Sequence, residues 1–452
     1  MNHSATYFFV ICFLLFSLIT NGQNEIRQYT VFNAGEAGVN TYRIPVIVTT
    51  GDGTLIAACE ARKESWRDKS PTDIAVKRSI DGGRTWSTIQ FVTNGAKDKY
   101  AFMDPCLLTD NETGKVFLFA CRWPESPQDG TANVPFMLTS GDNGQTWTEP
   151  VSVKESFTLS SGYIDGFGPG SGIQMQGDKY RGRLIVPIRL MDATTRRNRA
   201  VYSDNHGQTW AIGGRAPRVG EFQITELPEN KLYYNSRIAG GRAACYSLNG
   251  GVTWGNDIID ENLPGIEKGC QGSVLGVGNV LLYSGIEGST ATTLYDDRCR
   301  LKLFKSRDSG TSWQQNYLLY EKAAGYSCLT RLKTGEIAIL FEAGDESGFI
   351  KSSVRNAGWM RLDIIILPAG FIDLETSTKD NTIANNKLNI SFTADRNRIL
   401  INDVESSAVN IFSMTGITQK SGQITNGSID ISHLNRGVYI LCMGNKKQSF
   451  IK

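Results

Sequence analysis

Short apolar runs broken by polar turns make up most of this chain. Runs such as Ile74-Ala75-Val76-Lys77-Arg78 and Leu301-Lys302-Leu303-Phe304-Lys305 are β-prone and end at turn formers, which predicts short strands. One run is different. Residues 7–19 are almost unbroken apolar, and the polar stretch Thr20-Asn21-Gly22-Gln23-Asn24 follows. This run is short for a bilayer span and reads as the core of a secretory signal peptide cleaved near Gly22. No Lys or Arg precedes it, so an uncleaved anchor helix is the alternative. After Leu367-Pro368-Ala369-Gly370 the texture changes again. Residues 380–387 are polar, and strands are expected at 388–392, 398–401, 409–412 and 438–441. The chain therefore divides into a signal segment 1–22, an all-β region 23–370, a linker 371–385 and a C-terminal β domain 386–452.

The large region is organised by a repeat. The pattern Ser-x-(Asp/Asn)-x-Gly-x-(Thr/Ser)-Trp occurs at 79–86, 140–147, 203–210, 247–254 and 306–313. An Asp or Asn in this setting accepts hydrogen bonds from turn N–H groups, Gly takes a positive φ, and Trp packs back on the sheet. Most copies start roughly 60 residues apart, about one four-stranded unit with its loops and near the length of known propeller repeats. About six such units fit between Gln28 and Ala369. The expected fold is all-β: a six-bladed β-propeller with a small C-terminal β-sandwich-like domain.

Composition narrows the chemistry. The 452 residues carry a formal charge of +2, which gives no case for nucleic acid or a membrane surface as the main partner. Histidine occurs only at 3, 206 and 433, which leaves almost no material for a Ser-His-Asp hydrolase or a His-rich zinc site. No metal or organic cofactor is implied. The cysteines form no C-x-x-C pair, and Cys59, Cys106, Cys121 and Cys328 are expected as buried thiols, with isolated disulfides open.

The five repeats are similar to the Asp boxes of the sialidase superfamily. Such boxes lie on outer turns and also occur in non-enzymatic receptors, so function must be argued from the site. The resemblance spans about residues 28–369. Tyr42-Arg43-Ile44-Pro45 resembles the family's F/Y-R-I-P motif, and Tyr233-Tyr234-Asn235-Ser236-Arg237 its strand ending in N-S-R. The resemblance implies a sialic acid carboxylate held by Arg43, Arg237 and Arg298, with Arg300 a rival for the third place. Guanidinium groups suit this task because they stay charged and bind carboxylates through paired N–H bonds. Glu60-Ala61-Arg62 and the loop after it resemble the segment that carries the family's general acid, here Asp68, with Asp73 the rival. Arg62 would contact the carboxylate or hydroxyl side of the sugar.

Ala324-Gly325-Tyr326-Ser327 matches the family's nucleophile motif. A carboxylate attacking a carbon that bears a carboxylate would meet like-charge repulsion. A neutral Tyr326 avoids it, and sialidases are a known exception to the two-carboxylate scheme. A phenol needs a base, which the resemblance places at Glu221, with Glu226 as rival. Glu342 would orient Arg43, and Asp104 would meet a sugar hydroxyl. Met103 and Trp123 would form an apolar floor under the N-acetyl group, with core packing the alternative. The glycine-rich segments 168–174 and 269–273 also resemble family segments and are expected to let loops approach the substrate.

The last 70 or so residues resemble the C-terminal sorting domain of the Bacteroidetes type IX secretion pathway, which implies secretion machinery as a partner. A carbohydrate-binding β-sandwich is the alternative. The resemblances together imply a secreted or surface protein, with the periplasm a further option. Its expected function is an exo-α-sialidase that removes terminal sialic acid from glycoproteins, glycolipids or oligosaccharides with retention. A non-catalytic sialoglycan-binding propeller and a trans-sialidase are the alternatives. Linkage preference and oligomeric state stay open.

Overall fold

The computed structural model describes residues 26–372 except 127–131, 158–161, 193–194, 289–297, 314 and 346–360, and residues 390–451 except 394, 396, 402–407, 414–417, 425–426, 436–437 and 444–445. The expected signal segment and most of the expected linker lie outside the described residues. Contacts divide the chain into two units, one spanning Ile26–Leu374 and the other including Glu375–Lys452.

The larger unit is built from antiparallel meanders, with no α-helix among the described residues. Thr41–Thr49, Leu55–Arg62 and Thr72–Ser79 form the first, edged by Gln90–Phe91. Ala101–Asp110, Lys115–Trp123, Val134–Ser140 and Val151–Ser152 form the next. Tyr163–Phe167, Leu184–Asp192, Thr195–Ser203 and Ala211–Ile212 follow, then Phe222–Leu227, Lys231–Ile238, Gly241–Ser247 and Ile258–Asp260. Ser273–Val277, Val280–Ile286 and Cys299–Ser306 lead into the long strand Gln315–Arg331. The first part of that strand pairs backwards with Cys299–Ser306, and the rest pairs forwards with Ile337–Ala343. Arg361–Leu367 comes next, and its outer partner is Arg27–Asn33, from the start of the unit.

Each repeat turn joins the third strand of a meander to its edge strand. In the second copy, Asp142 accepts from the Thr146 N–H at 2.9 Å and from the hydroxyls of Thr146 (2.6 Å) and Ser140 (2.8 Å). The Ser140 hydroxyl in turn accepts from the Gly144 N–H at 2.8 Å. The glycine of the turn faces the preceding meander closely. A β-carbon on Gly144 would come within 2.8 Å of Ile56, on Gly207 within 2.6 Å of Phe117, and on Gly310 within 2.9 Å of Tyr233. In the first copy the near neighbour of Gly83 is Ile366, at 2.8 Å, on the last meander. In these four copies the box packs its sheet against the one before it, and the first against the last.

Strands such as Leu55–Arg62 and Ile337–Ala343 are buried at every residue because neighbouring sheets cover both faces. This explains why they read as continuous apolar runs rather than as alternation. One core cluster joins Ile47, Ile56 and Leu118 with Leu340 and Ile364, from both ends of the unit.

In the C-terminal unit, Ile390–Phe392, Arg398–Ile401 and Ser428–Asp430 form one sheet. Thr418–Gln423, Ala408–Ser413, Val438–Met443 and Lys446–Ile451 form another. Ile399, Ile401, Val409, Ile411, Ile429 and Leu441 are buried between them.

Candidate active site

Several strands of the larger unit break register where they meet a shared cavity of about 420 Å³. The pairing slips between Arg43 and Val46, between Met103 and Cys106, between Ile164 and Gly166, and between Ala324 and Ser327. Such bulges twist a strand and re-aim its side chains. Ile44 and Asp104, each followed by proline, take positive φ values of 56° and 55° at two of them. The residues so turned include Arg43, Asp104, Asp165 and Tyr326, and all four line the cavity.

The centre of the site is Tyr326. Its hydroxyl donates to Glu221 and accepts from Arg237 Nη1 at 3.0 Å, while the same Nη1 donates to the other Glu221 oxygen at 2.7 Å. The guanidinium carbons of Arg298 and Arg43 stand 5.3 and 5.8 Å from the centre of the Tyr326 ring. Arg43 is held by Glu342 at 2.7 and 3.3 Å. Glu342 also accepts from the backbone N–H groups of Ile44 and Tyr326, so one fully buried carboxylate fixes the arginine and the tyrosine together.

Burial and the adjacent Glu221 carboxylate push the Tyr326 phenol well above its ordinary value. Burial acts to raise Glu221, but Arg237 and Arg189 outweigh it and hold the carboxyl below its ordinary value. The pair is therefore a neutral phenol hydrogen-bonded to a carboxylate.

Asp68 is on an exposed loop, its side chain 74% accessible, and pairs with Arg62 at 2.8 Å. Desolvation raises it, yet Arg62, Arg43 and Arg298 together draw it below its ordinary value. Arg62 is buried and also grips Glu60, whose second oxygen accepts from the Asp104 N–H at 2.9 Å. Asp104 pairs with Arg189. Burial pushes its carboxyl up to about 8 despite Arg189, with Glu60, Glu221 and Asp165 adding to the rise. Met103 and Trp123 line the wall and belong to one apolar cluster with Ile164 and Phe167, so floor and core are not exclusive.

The structure thus brings Arg43, Arg62, Asp68, Met103, Asp104, Trp123, Glu221, Arg237, Arg298 and Tyr326 to one cavity, with Glu342 directly behind Arg43. It places the rivals elsewhere. Arg300 pairs with Glu287 at 2.7 Å, Asp73 accepts from the Gly95 N–H at 2.8 Å, and Glu226 accepts from the Gln176 and Gly177 N–H groups. One expectation needs correction. Gly170 packs against Gln223 and Gly269 against Arg237, so these glycines make room for neighbouring strands and do not line the cavity. Sequence reasoning missed Asp165, Arg189, Arg196, Trp66, Lys69 and Lys268, which also line it, and gave Glu60 no role. The usable signal for Glu60, Asp165 and Arg189 was a charged residue inside an otherwise apolar strand, which is rarely buried without a partner.

Comparison with known proteins places this geometry. Residues 53–339 match a family profile described as a BNR repeat-like domain, and residues 384–452 match a secretion system C-terminal sorting domain. A sialidase of Micromonospora viridifaciens is 31% identical over 72% of this chain and 53% of its own length. A sialidase of Bacteroides fragilis is 28% identical over 72% of this chain and 64% of its own. The chain thus spans less than two thirds of either relative. Among solved structures, the Hadza microbial sialidase Hz136 superposes with a TM-score of 0.62 at 25% identity, covering 75% of this chain and 68% of that one. An intramolecular trans-sialidase from Ruminococcus gnavus gives 0.61 at 20% identity, covering 76% of this chain and 98% of that one, a likeness of fold. The sorting domain marks the protein for export through the type IX secretion system to the cell surface or beyond. With its repeats and the profile match over residues 53–339, the chain belongs to the BNR repeat-like domain family, and the relatives it resembles are sialidases.

Proposed function

We propose that this protein is a retaining exo-α-sialidase built on a six-bladed propeller. The antiparallel pairings support that count: each meander gives one blade, the long strand Gln315–Arg331 serves two, and Arg27–Asn33 completes the last. One observation carries the functional reading: a tyrosine hydroxyl bonded to an ionised glutamate, with three arginines converging on it.

Arg43, Arg237 and Arg298 bind the carboxylate of the sugar, which sets the anomeric carbon against the Tyr326 oxygen. That oxygen attacks the carbon as the bond to the leaving oxygen breaks. Glu221 takes the phenolic proton, and Asp68 gives its proton to the leaving oxygen. In the second half, Asp68 takes a proton from water, the water oxygen attacks the same carbon, and the tyrosyl bond breaks with return of the proton from Glu221. Two displacements at one carbon give net retention.

The low value of Asp68 before binding does not oppose this role. It comes chiefly from Arg62, Arg43 and Arg298, two of which the substrate carboxylate neutralises on arrival. The acid is thereby raised when it is needed. Sialylated glycoproteins, glycolipids and oligosaccharides are the substrates that fit, since the reading requires only a terminal sugar.

The test is release of fluorophore from a 4-methylumbelliferyl sialoside by the exported chain and by Tyr326→Phe and Asp68→Ala. The expected result is turnover by wild type, with a loss of at least ~10²-fold in Tyr326→Phe, the low end of what a positioned catalytic group supplies. Asp68→Ala should lose less on this substrate, because an aryl leaving group needs little protonation. Sialoside binding without turnover by wild type would leave a glycan receptor.

A further inference from the structure

Asp68 belongs to the loop of residues 63–71 that joins Leu55–Arg62 to Thr72–Ser79. The loop is closed at its base, where the Lys63 N–H donates to the Pro71 carbonyl at 2.9 Å. Inside it, the Ser70 hydroxyl donates to the Ser65 carbonyl at 3.0 Å. Arg62 Nη1 donates to the Trp66 carbonyl at 2.5 Å and pairs with Asp68 Oδ1 at 2.8 Å. This last contact is an ion pair, so it grips the charged carboxylate. A general acid has to carry its proton when it acts. Protonation weakens the pair with Arg62 at the moment when the carboxyl must stay within hydrogen-bond reach of the leaving oxygen.

A second hold lies one residue further on. Lys69 has a positive φ of 62°, a left-handed conformation that is costly for a residue with a β-carbon. Its ammonium stands over the Trp123 ring, 3.8 Å from the centre. Trp123 ends the strand Lys115–Trp123 of the next meander, is 6% accessible and packs in one cluster with Met103, Ile164 and Phe167. Lys69 and Trp123 both line the cavity. An indole face is the best aromatic partner for a cation. The contact thus ties the acid loop of one meander to the wall of another. Unlike the pair with Arg62, it does not depend on the charge of Asp68.

We infer that Lys69 is a positioning residue, whose contact with Trp123 keeps the loop in place while Asp68 carries its proton. This rests on the reading of Asp68 as the acid. The test compares the exported chain with Lys69→Asn and Lys69→Arg. Asparagine tolerates the left-handed conformation and carries no cation, whereas arginine puts one back over the ring. The substrates are 3′-sialyllactose, whose alkyl leaving group needs the proton, and the 4-methylumbelliferyl sialoside, which needs little.

Lys69→Asn should lower the ratio of kcat/KM on the lactoside to kcat/KM on the aryl glycoside about ten-fold or more, part of the ~10²–10⁴ that a positioned acid supplies. On the aryl glycoside kcat and KM should fall together, because Asp68 also activates the water that frees Tyr326. Lys69→Arg should recover both. A lysine that only touched the leaving sugar would leave the aryl kcat unmoved, and one that only supported the fold would lower the two kcat/KM values alike. Either result overturns the inference. Hydrogen exchange of residues 63–71 reads the hold without chemistry. It should be faster in Lys69→Asn and return to the wild-type rate in Lys69→Arg, and an unchanged rate in both also overturns the inference. Faster exchange in Lys69→Asn, with turnover of neither substrate by wild type, would sink the hydrolase reading and leave the loop contact standing.

Discussion

At the scale of single residues, the site is a set of charges that hold one another in a chosen state. Glu342 is the clearest case, because it is fully buried and serves Arg43, Ile44 and Tyr326 at once. Replacing it with alanine strands the Arg43 guanidinium without its countercharge. The expected cost is about 3–5 kcal/mol of stability, read by chemical denaturation of the two proteins side by side. Glu221 makes a pH-dependent contribution. Its folded value lies below its ordinary one, so the stabilisation is fully present above about pH 4.3 and is lost as pH falls through the depressed value. The gap in melting temperature between wild type and Glu221→Gln should therefore be widest near neutrality and narrow below pH 4. At neutral pH the same variant should lose ~10²–10⁴-fold in kcat, as expected for a missing general base.

Residues also show what was legible in the chain. Arg43, Arg237 and Tyr326 stand in short motifs, and the cavity collects all three. Arg298 and Arg300 could not be separated by motif, since the choice depends on which one the strand start turns inward. Arg189 and Asp165 carry no motif, and only the bulges of two different strands bring Arg189 to Asp104. Register slips of this kind depend on pairing between distant segments, which local patterns do not encode.

At the scale of elements, the repeat was the most legible feature and is the least involved in chemistry. The turns form as their residue types dictate, and the cross-sheet role of their glycines was not visible without the sheets in place. The Asp142 carboxylate, which desolvation raises but the hydrogen bonds from Thr146 and Ser140 together hold low at about 2, gathers most of its turn around itself. Asp142→Ala should cost about 1–3 kcal/mol, from donors left without their acceptor, and should leave kcat/KM per folded molecule unchanged. Equilibrium unfolding combined with active-site titration separates the two. In the C-terminal unit the expected strand 398–401 is observed as Arg398–Ile401, and the expected 409–412 extends to Ala408–Ser413.

At the scale of the whole molecule, the larger unit depends on pairing between its two ends. Arg27–Asn33 buries Val31 and Phe32 against a sheet made some 330 residues later in the sequence. A chain lacking residues 27–33 should unfold at lower temperature than the full chain and expose an unpaired edge. Thermal scans with light scattering would show both effects, the scattering rising with the melt because an open edge recruits other chains.

That clasp also sets an order of events during synthesis. The first strand to leave the ribosome waits, apolar and partnerless, for the last strands of its own unit. Nearly the whole unit must emerge before the clasp can close, which makes for slow, non-local folding. The newborn chain is thus vulnerable for most of its synthesis. A truncated product ending before Arg361 has nowhere to lodge its own beginning, so incomplete chains carry a sticky end by construction.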